Sequence, residues 1–365
     1  MQVKTSDKAQ KIVVLGTGGT IAGLSTPEKG AGAYVAGQKP VEELLAGLAI
    51  PAALTGLAIQ SEQVAQIDSK DMDLPVWQAL LRRCQHGLAQ AEVRGVLITH
   101  GTDTLEETAW LLELLLGPLL RGLGKPLVLT CAMRPADAPD ADGPGNLRDA
   151  LRVMVDPQAQ GVLVVCAGRV MRARAVQKVH ATRLDAFRSI GQPDAGCLVN
   201  DPAGTAGRGV SWSPQQEPQG MQQGLGTRDA RGVAVTGQAC APLLAAALDA
   251  AVWPRVELLY SHAAASAALV QAVCDADLAR RLGSPPLRGL VVAATGNGTV
   301  HHELEAALRH AQSCGVRVLL ATRCAEGGLR ARVRSTAGQD EGFSTTDLSP
   351  LKARLALMLE LLDGR

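Results

Sequence analysis

Two glycine-flanked loops carry the residues able to do chemistry, Gly16-Thr17-Gly18-Gly19-Thr20-Ile21-Ala22-Gly23 and Thr99-His100-Gly101-Thr102-Asp103-Thr104. Each directly follows an apolar run of β type, Lys11-Ile12-Val13-Val14-Leu15 and Val96-Leu97-Ile98, and each is followed by helix-compatible sequence. Both are therefore expected at strand carboxyl ends, where open α/β sheets bind ligands. A threonine hydroxyl is a weak nucleophile at its own pKa, so it needs a base or proton relay within hydrogen-bond reach. The glycine-rich backbone around Thr20 offers amides that can face an oxyanion. A phosphate cradle fits poorly: Ile21 stands where a dinucleotide fingerprint needs its third glycine or an alanine, and no Walker pattern occurs. Two threonines drawn into one crevice point to nucleophilic attack on a small polar substrate.

The elements that must position these loops alternate along the chain. Strand-like runs fall near Ile12 to Leu15, Leu57 to Ile67, Val96 to Thr99, Pro126 to Cys131 and Val162 to Cys166. Helical stretches lie between them at Val41 to Leu48, Leu74 to Gln90 and Leu105 to Leu116. This alternation predicts βαβ crossovers and a mostly parallel sheet flanked by helices. The pattern breaks in residues 201–230, rich in Gly, Pro, Gln and Ser, which read as a linker or long loop. Apolar alternation resumes at Val233, with candidate strands at Val256 to Leu259, Leu290 to Ala293 and Val316 to Leu320. The expected organisation is a larger α/β domain over 1–200, a linker over 201–230 and a smaller α/β domain over 231–365.

Composition narrows the partners. Lys plus Arg (36) nearly balance Asp plus Glu (35), a net charge of +1 that gives no global field toward nucleic acid or an anionic membrane. No run approaches the ~20 apolar residues of a membrane span, and the polar amino terminus lacks the apolar core of a secretory signal. The expectation is a cytoplasmic protein acting on a small molecule. The 8 cysteines are scattered without a C-x-x-C pair, with Cys131 and Cys166 read as buried thiols. His301-His302-Glu303 lacks the H-E-x-x-H spacing and reads as a solvated helix start, so neither a metal nor an organic cofactor is expected.

Five ordered segments together carry a family resemblance: Gly18 to Gly23, Asp68-Ser69-Lys70-Asp71-Met72, Thr99 to Thr108, Ala132-Met133-Arg134-Pro135 and Asp142-Gly143-Pro144-Gly145-Asn146-Leu147. The chain resembles the bacterial-type L-asparaginase family, densely over about Lys11 to Phe187 and more loosely over Val256 to Leu361. The resemblance implies Thr20 as the nucleophile, assisted by Tyr34 on a flexible lid. It implies a second catalytic group of Thr102, Asp103 and Lys178, with Lys178 passing protons to and from Thr102. Ser69 and Asp103 resemble the residues that hold the substrate carboxylate and ammonium, and Gly19 belongs to the loop that meets the substrate. A homotetramer, built as a dimer of dimers with active sites between subunits, is implied as well. The residues alone leave other roles open: Asp103 can cap a helix starting near Leu105, His100 can fix loop geometry, and Lys178 can be a surface lysine.

The activity so implied is hydrolysis of L-asparagine to aspartate and ammonia through an acyl-threonine. The alternatives are another short amide (glutamine, a D-amino acid amide or peptide-linked asparagine) and a catalytically silent sensor of aspartate or asparagine. Three departures from the family pattern bear on substrate. Lys70 brings a cation near the expected ammonium site. Ala264 stands where periplasmic relatives place an asparagine that reaches the neighbouring site. No acid stands near Arg330 to Arg334, the place of their adjacent-subunit carboxylate, and Asp340 and Glu341 are displaced by several residues.

Overall fold

The computed structural model describes residues 10–26, 28, 30, 32–51, 54–200, 208–214, 225–228, 234–235, 240–329 and 342–364. Two compact units divide the chain, 1–215 and 216–365. The first runs β1 (Lys11–Gly18), β2 (Leu24–Ser25), β3 (Tyr34–Val35), α1 (Val41–Ala46), β4 (Ala58–Ile67), α2 (Leu74–Ala89), β5 (Val93–Thr99) and α3 (Leu105–Leu123). It continues through β6 (Pro126–Thr130), α4 (Gly143–Val155), β7 (Gly161–Cys166), β8 (Arg169–Arg172), β9 (Val176–Lys178), β10 (Phe187–Ser189), β11 (Gly196–Asn200) and β12 (Arg208–Trp212).

Eight of these strands form one sheet in the order β12-β11-β8-β7-β6-β5-β1-β4. The β4-β1-β5-β6-β7 part is parallel and the β7-β8-β11-β12 part antiparallel. The α/β class with a mostly parallel sheet therefore holds, and the antiparallel extension is added to it. Strands β5, β6 and β7 are almost wholly buried, as parallel strands covered on both faces must be. After β4 the chain crosses to the other side of β1 to form β5, so the strand order reverses beside β1. Ligands bind at the carboxyl ends of strands at such a reversal, and there the two threonine loops emerge.

One helix outruns its sequence signal. The sequence reading gives this helical stretch as Leu105 to Leu116, which stops ahead of Pro118, and a proline inside a helix removes a hydrogen bond and costs about 3 kcal/mol in isolation. The helix continues through Pro118 to Leu123 and closes on Gly124 at φ 61°. Leu111, Leu112, Leu114, Leu115, Leu116 and Leu120 are all buried. Of these only Leu120 lies beyond the proline, and its full burial is worth roughly 1.5–3 kcal/mol, comparable with the cost of the break. Within the stretch read as a linker, Arg208–Trp212 forms the edge strand of the large sheet, paired with Gly196–Asn200. Residues 201–207, 215–224 and 229–233 lie outside the described residues.

The second unit runs β13 (Leu225–Arg228), β14 (Ala234–Val235), α5 (Cys240–Asp249), β15 (Arg255–Tyr260), α6 (Ala268–Cys274), α7 (Ala276–Arg281) and β16 (Leu287–Ala294). It ends with α8 (His302–Ser313), β17 (Arg317–Thr322), β18 (Ser344–Thr345) and α9 (Pro350–Leu362). A parallel sheet β15-β16-β17-β18 is its centre. Leu259, Leu290, Val292, Leu308, Leu320 and Phe343 pack in its core. His301 is the N-cap of α8, its Nδ1 accepting from Glu303 N–H at 3.4 Å. No described helix is long and apolar enough to cross a membrane.

Candidate active site

The first loop turns sharply because Gly18 and Gly19 sit at φ 98° and 80°. Gly19 combines φ 80° with ψ −174°, a backbone state essentially restricted to glycine. A short 3-10 turn, Thr20–Ala22, follows and is buried. The amide of Gly19 donates to Ile67 O at 2.8 Å and so ties the loop to the end of β4.

The close approach of two backbones fuses the loops. A Cβ on Gly19 would lie 2.2 Å from Gly101 Cα and 2.4 Å from Gly101 N, and one on Gly101 would lie 2.6 Å from Ser69 Oγ. Glycine on both sides lets the loops touch one residue before Thr20 and one before Thr102. Thr17 Oγ1–H donates to Thr99 O at 2.9 Å, tying the loops together again at their strand ends. Both hydroxyl-bearing side chains are nearly enclosed, with Thr20 and Thr102 each 6% exposed.

Each threonine has its own partner. Thr20 Oγ1 lies 2.9 Å from Tyr34 Oη. Tyr34 reaches it from the β2–β3 ribbon, in which Ser25 pairs with Tyr34 and Leu24 with Val35. On the other side, Lys178 Nζ donates to Thr102 Oγ1 at 2.9 Å and to Asp103 Oδ1 at 2.6 Å. Lys178 is thus no surface lysine: it ends the β9 strand that pairs with β10 through Lys178 and Phe187. Asp103 does not cap α3, whose N-cap is Thr104 without a side-chain capping bond. Thr104 Oγ1–H instead donates to Ser69 O at 2.8 Å, and Asp103 N–H donates to Ser69 Oγ at 3.1 Å. Ser69 is 2% exposed and ties the turn after β4 to the second threonine loop.

Two further residues fix this geometry, Glu106, to which the sequence assigned no role, and His100, read there as fixing loop geometry. Glu106 is buried in the first turn of α3 and accepts Lys178 N–H at 2.6 Å, pinning the strand that presents the lysine. Its only signal in the sequence is a carboxylate one turn past Asp103. His100 is fully buried, and its Nδ1–H donates to Gly101 O at 2.7 Å. Its Nε2 has no partner among the described residues. Burial pushes its pKa down to about 4, partly opposed by the bond to Gly101, so the ring is neutral and holds the Gly101 peptide, in keeping with a part in loop geometry.

The departures resolve in part. Lys70 pairs with its neighbour Asp71 and is 61% exposed. Asp71 beside it holds the ammonium above its ordinary pKa. Ala264 sits at φ 58°, a left-handed conformation that asparagine tolerates better than alanine. Arg330 to Arg334, Asp340 and Glu341 lie outside the described residues. Cys131 and Cys166 are buried, their sulfurs 3.7 Å apart. Among the described residues, no three His, Cys, Asp or Glu side chains cluster as metal ligands.

Fold and site together define a two-domain α/β protein whose larger sheet presents two buried threonines, each hydrogen-bonded to a second side chain, at its switch point. The family described as "Asparaginase, N-terminal" matches residues 11–205, and "Glutaminase/Asparaginase C-terminal domain" matches 255–365. The chain belongs to the asparaginase family. It is 31% identical to L-asparaginase 2 of Bacillus subtilis over 96% of this chain and 82% of that one. It is 28% identical to a glutaminase-asparaginase of Pseudomonas fluorescens over 99% of this chain and 88% of that one. A crystal structure of a probable cytoplasmic L-asparaginase from Campylobacter jejuni superposes with a TM-score of 0.74 at 31% identity, covering 96% of this chain and 95% of the other.

Proposed function

We propose that this chain hydrolyses the side-chain amide of L-asparagine to aspartate and ammonia, with Thr20 as nucleophile. The observation that carries the reading is the pair of short contacts, Thr20 to Tyr34 and Lys178 to Thr102, both 2.9 Å, on loops whose backbones touch. Thr20 Oγ adds to the amide carbon while its proton passes to the Tyr34 relay. The tetrahedral oxyanion collapses, the C–N bond breaks, and the amine takes that proton to leave as ammonia. Water then cleaves the acyl-threonine ester, giving aspartate and returning a proton to Thr20. The Lys178–Asp103 pair moves protons on the Thr102 side, and Ser69 and Asp103 hold the substrate carboxylate and ammonium. General acid–base assistance of this kind typically supplies ~10²–10⁴-fold.

The Pseudomonas fluorescens relative, described as a glutaminase-asparaginase, makes glutamine the second substrate to test. The experiment is ammonia release from asparagine, glutamine, D-asparagine and an asparaginyl peptide, with wild type and Thr20→Ala side by side. Asparagine turnover that Thr20→Ala abolishes supports the proposal; turnover surviving within a few-fold removes Thr20 as nucleophile. No ammonia from any amide, alongside measurable aspartate binding, would make the protein a sensor instead. Assembly as a dimer of dimers and a cytoplasmic location, the latter in line with the description of the Campylobacter jejuni relative, belong to the same proposal. Light scattering and cell fractionation check them.

A further inference from the structure

The placement of Tyr34 depends on a two-stranded ribbon of only four residues, and strand pairs this short do not hold themselves in water. Something outside the ribbon must fix it. On the far side of Tyr34, Gly37 N–H donates to Gly19 O at 3.0 Å, and Gln38 and Lys39 N–H donate to Ala22 O at 2.6 and 2.8 Å. The near side is held by one carboxylate. Asp137 accepts Ser25 N–H at Oδ1 (2.9 Å) and Oδ2 (3.1 Å), and Ser25 Oγ–H at Oδ1 (2.8 Å). Next to it, Ala136 N–H donates to Gly23 O at 2.9 Å. Ser25 is the cross-strand partner of Tyr34.

The loop bearing Asp137 is itself anchored. Asp142, at the start of α4, accepts the N–H groups of Met133 (3.1 and 3.0 Å) and Arg134 (2.9 Å) and the Asn146 side-chain amide (3.1 Å). Asn146 also donates to Cys131 O at 2.9 Å. A rigid path therefore leads from α4 through the 132–142 loop and Asp137 to the ribbon, and from Tyr34 to Thr20.

We propose that Asp137 is a positioning residue, which by clamping Ser25 sets the ribbon so that Tyr34 Oη meets Thr20 Oγ1. Hydrogen bonds to an ionised acceptor are the stronger kind, and three converge on this one group. The Ser25 donors hold the Asp137 carboxyl below the usual carboxylate range, with a smaller contribution from Lys39. The consequence for catalysis rests on the proposed role of Tyr34; the consequence for where Tyr34 sits does not.

The chain contains 2 tyrosines, Tyr34 and Tyr260, so the full-length protein labelled with 3-fluorotyrosine gives two fluorine resonances, assigned with Tyr260→Phe. Asp137→Ala should shift or broaden the Tyr34 resonance and leave that of Tyr260 in place, which also verifies folding. It should lower kcat for asparagine about three- to tenfold, with KM changed less than about twofold. Ser25→Ala, which keeps the backbone bonds, should act in the same direction and less. In a Tyr34→Phe background Asp137→Ala should cost nothing further, because both changes break one chain of contacts. An unmoved Tyr34 resonance, or an equal loss of turnover in both backgrounds, overturns the proposal. If Tyr34→Phe alone keeps full turnover, or wild type releases no ammonia, the catalytic reading fails and the fluorine shift still decides whether Asp137 holds Tyr34.

Discussion

Gly19→Ala should separate the two catalytic loops, and the structure sets the size of the effect. At φ 80° and ψ −174° a side chain costs about 1–3 kcal/mol in backbone strain alone. The new Cβ would stand 2.2 Å from Gly101 Cα, where ordinary contact begins at 3.4 Å. The obstructing atoms are backbone and cannot rotate aside, so one loop must retreat by roughly 1 Å, an overpacking that costs a further ~1–3 kcal/mol. The total of about 2–6 kcal/mol is a large part of a typical stability of ~5–15 kcal/mol. A misplacement of ~1 Å at reacting groups costs on the order of 10²-fold in rate. The assays are denaturant unfolding and ammonia release from asparagine, each compared with Gly124→Ala. Gly124 has φ 61° and nothing within 4 Å of the place a methyl group would take, so it isolates strain from collision. If Gly19→Ala is no less stable than Gly124→Ala and keeps turnover within threefold of wild type, the claim that glycine contact joins the loops is wrong.

Other consequences follow from single residues. His100 is held near pKa 4 by burial, against an ordinary 6.5; between these values the unfolded chain binds a proton that the folded chain does not. Its contribution to stability is complete above about pH 6.5 and is lost as pH falls toward 4, at up to about 1.4 kcal/mol per unit or roughly 3 kcal/mol across the window. Replacing it by Gln should flatten the pH dependence of unfolding there, and an unchanged slope refutes the assignment. Lys70 is exposed and paired with Asp71, where solvent screens its charge; Lys70→Gln should change KM for asparagine less than about threefold, and a tenfold improvement would place the cation on the substrate. Ala167 and Gly168 form the two-residue turn between Cys166 and Arg169 with φ 50° and 74°, where Asn-Gly is the preferred pair. Ala167→Asn should raise unfolding stability by about 0.5–1 kcal/mol, and a loss in urea unfolding would contradict the turn geometry.

The alternation of apolar runs and helix-compatible segments sufficed to read the longer parallel strands of both units, though not the two-residue β18, because hydrophobic periodicity and strand burial are written locally. It also placed Thr20 and Thr102 at strand ends, and the family resemblance implied Tyr34 and Lys178 as their partners. The short strands escaped. The β2–β3 ribbon has too few residues to show a period, Arg208–Trp212 lies in a glycine- and proline-rich stretch that reads as linker, and Pro118 hides the last turn of α3. The ribbon is held by Asp137, 112 positions from Ser25, and the edge strand by Asp149 and Asp156 through Arg208 and Trp212, contacts that no local pattern encodes. The same holds for the capping role open to Asp103. The ion pair to Lys178, 75 positions away in the chain, engages that carboxylate instead.

Sequence by itself determined which of the longer elements form and which chemical groups stand at their ends, since side-chain size, polarity and turn preference act over a few residues. Tertiary structure alone decided that Gly19 touches Gly101, that Glu106 pins Lys178, and that Asp137 holds the cross-strand partner of Tyr34. Strand order across the sheet makes those meetings, and it is set by packing the whole unit together rather than by any one segment.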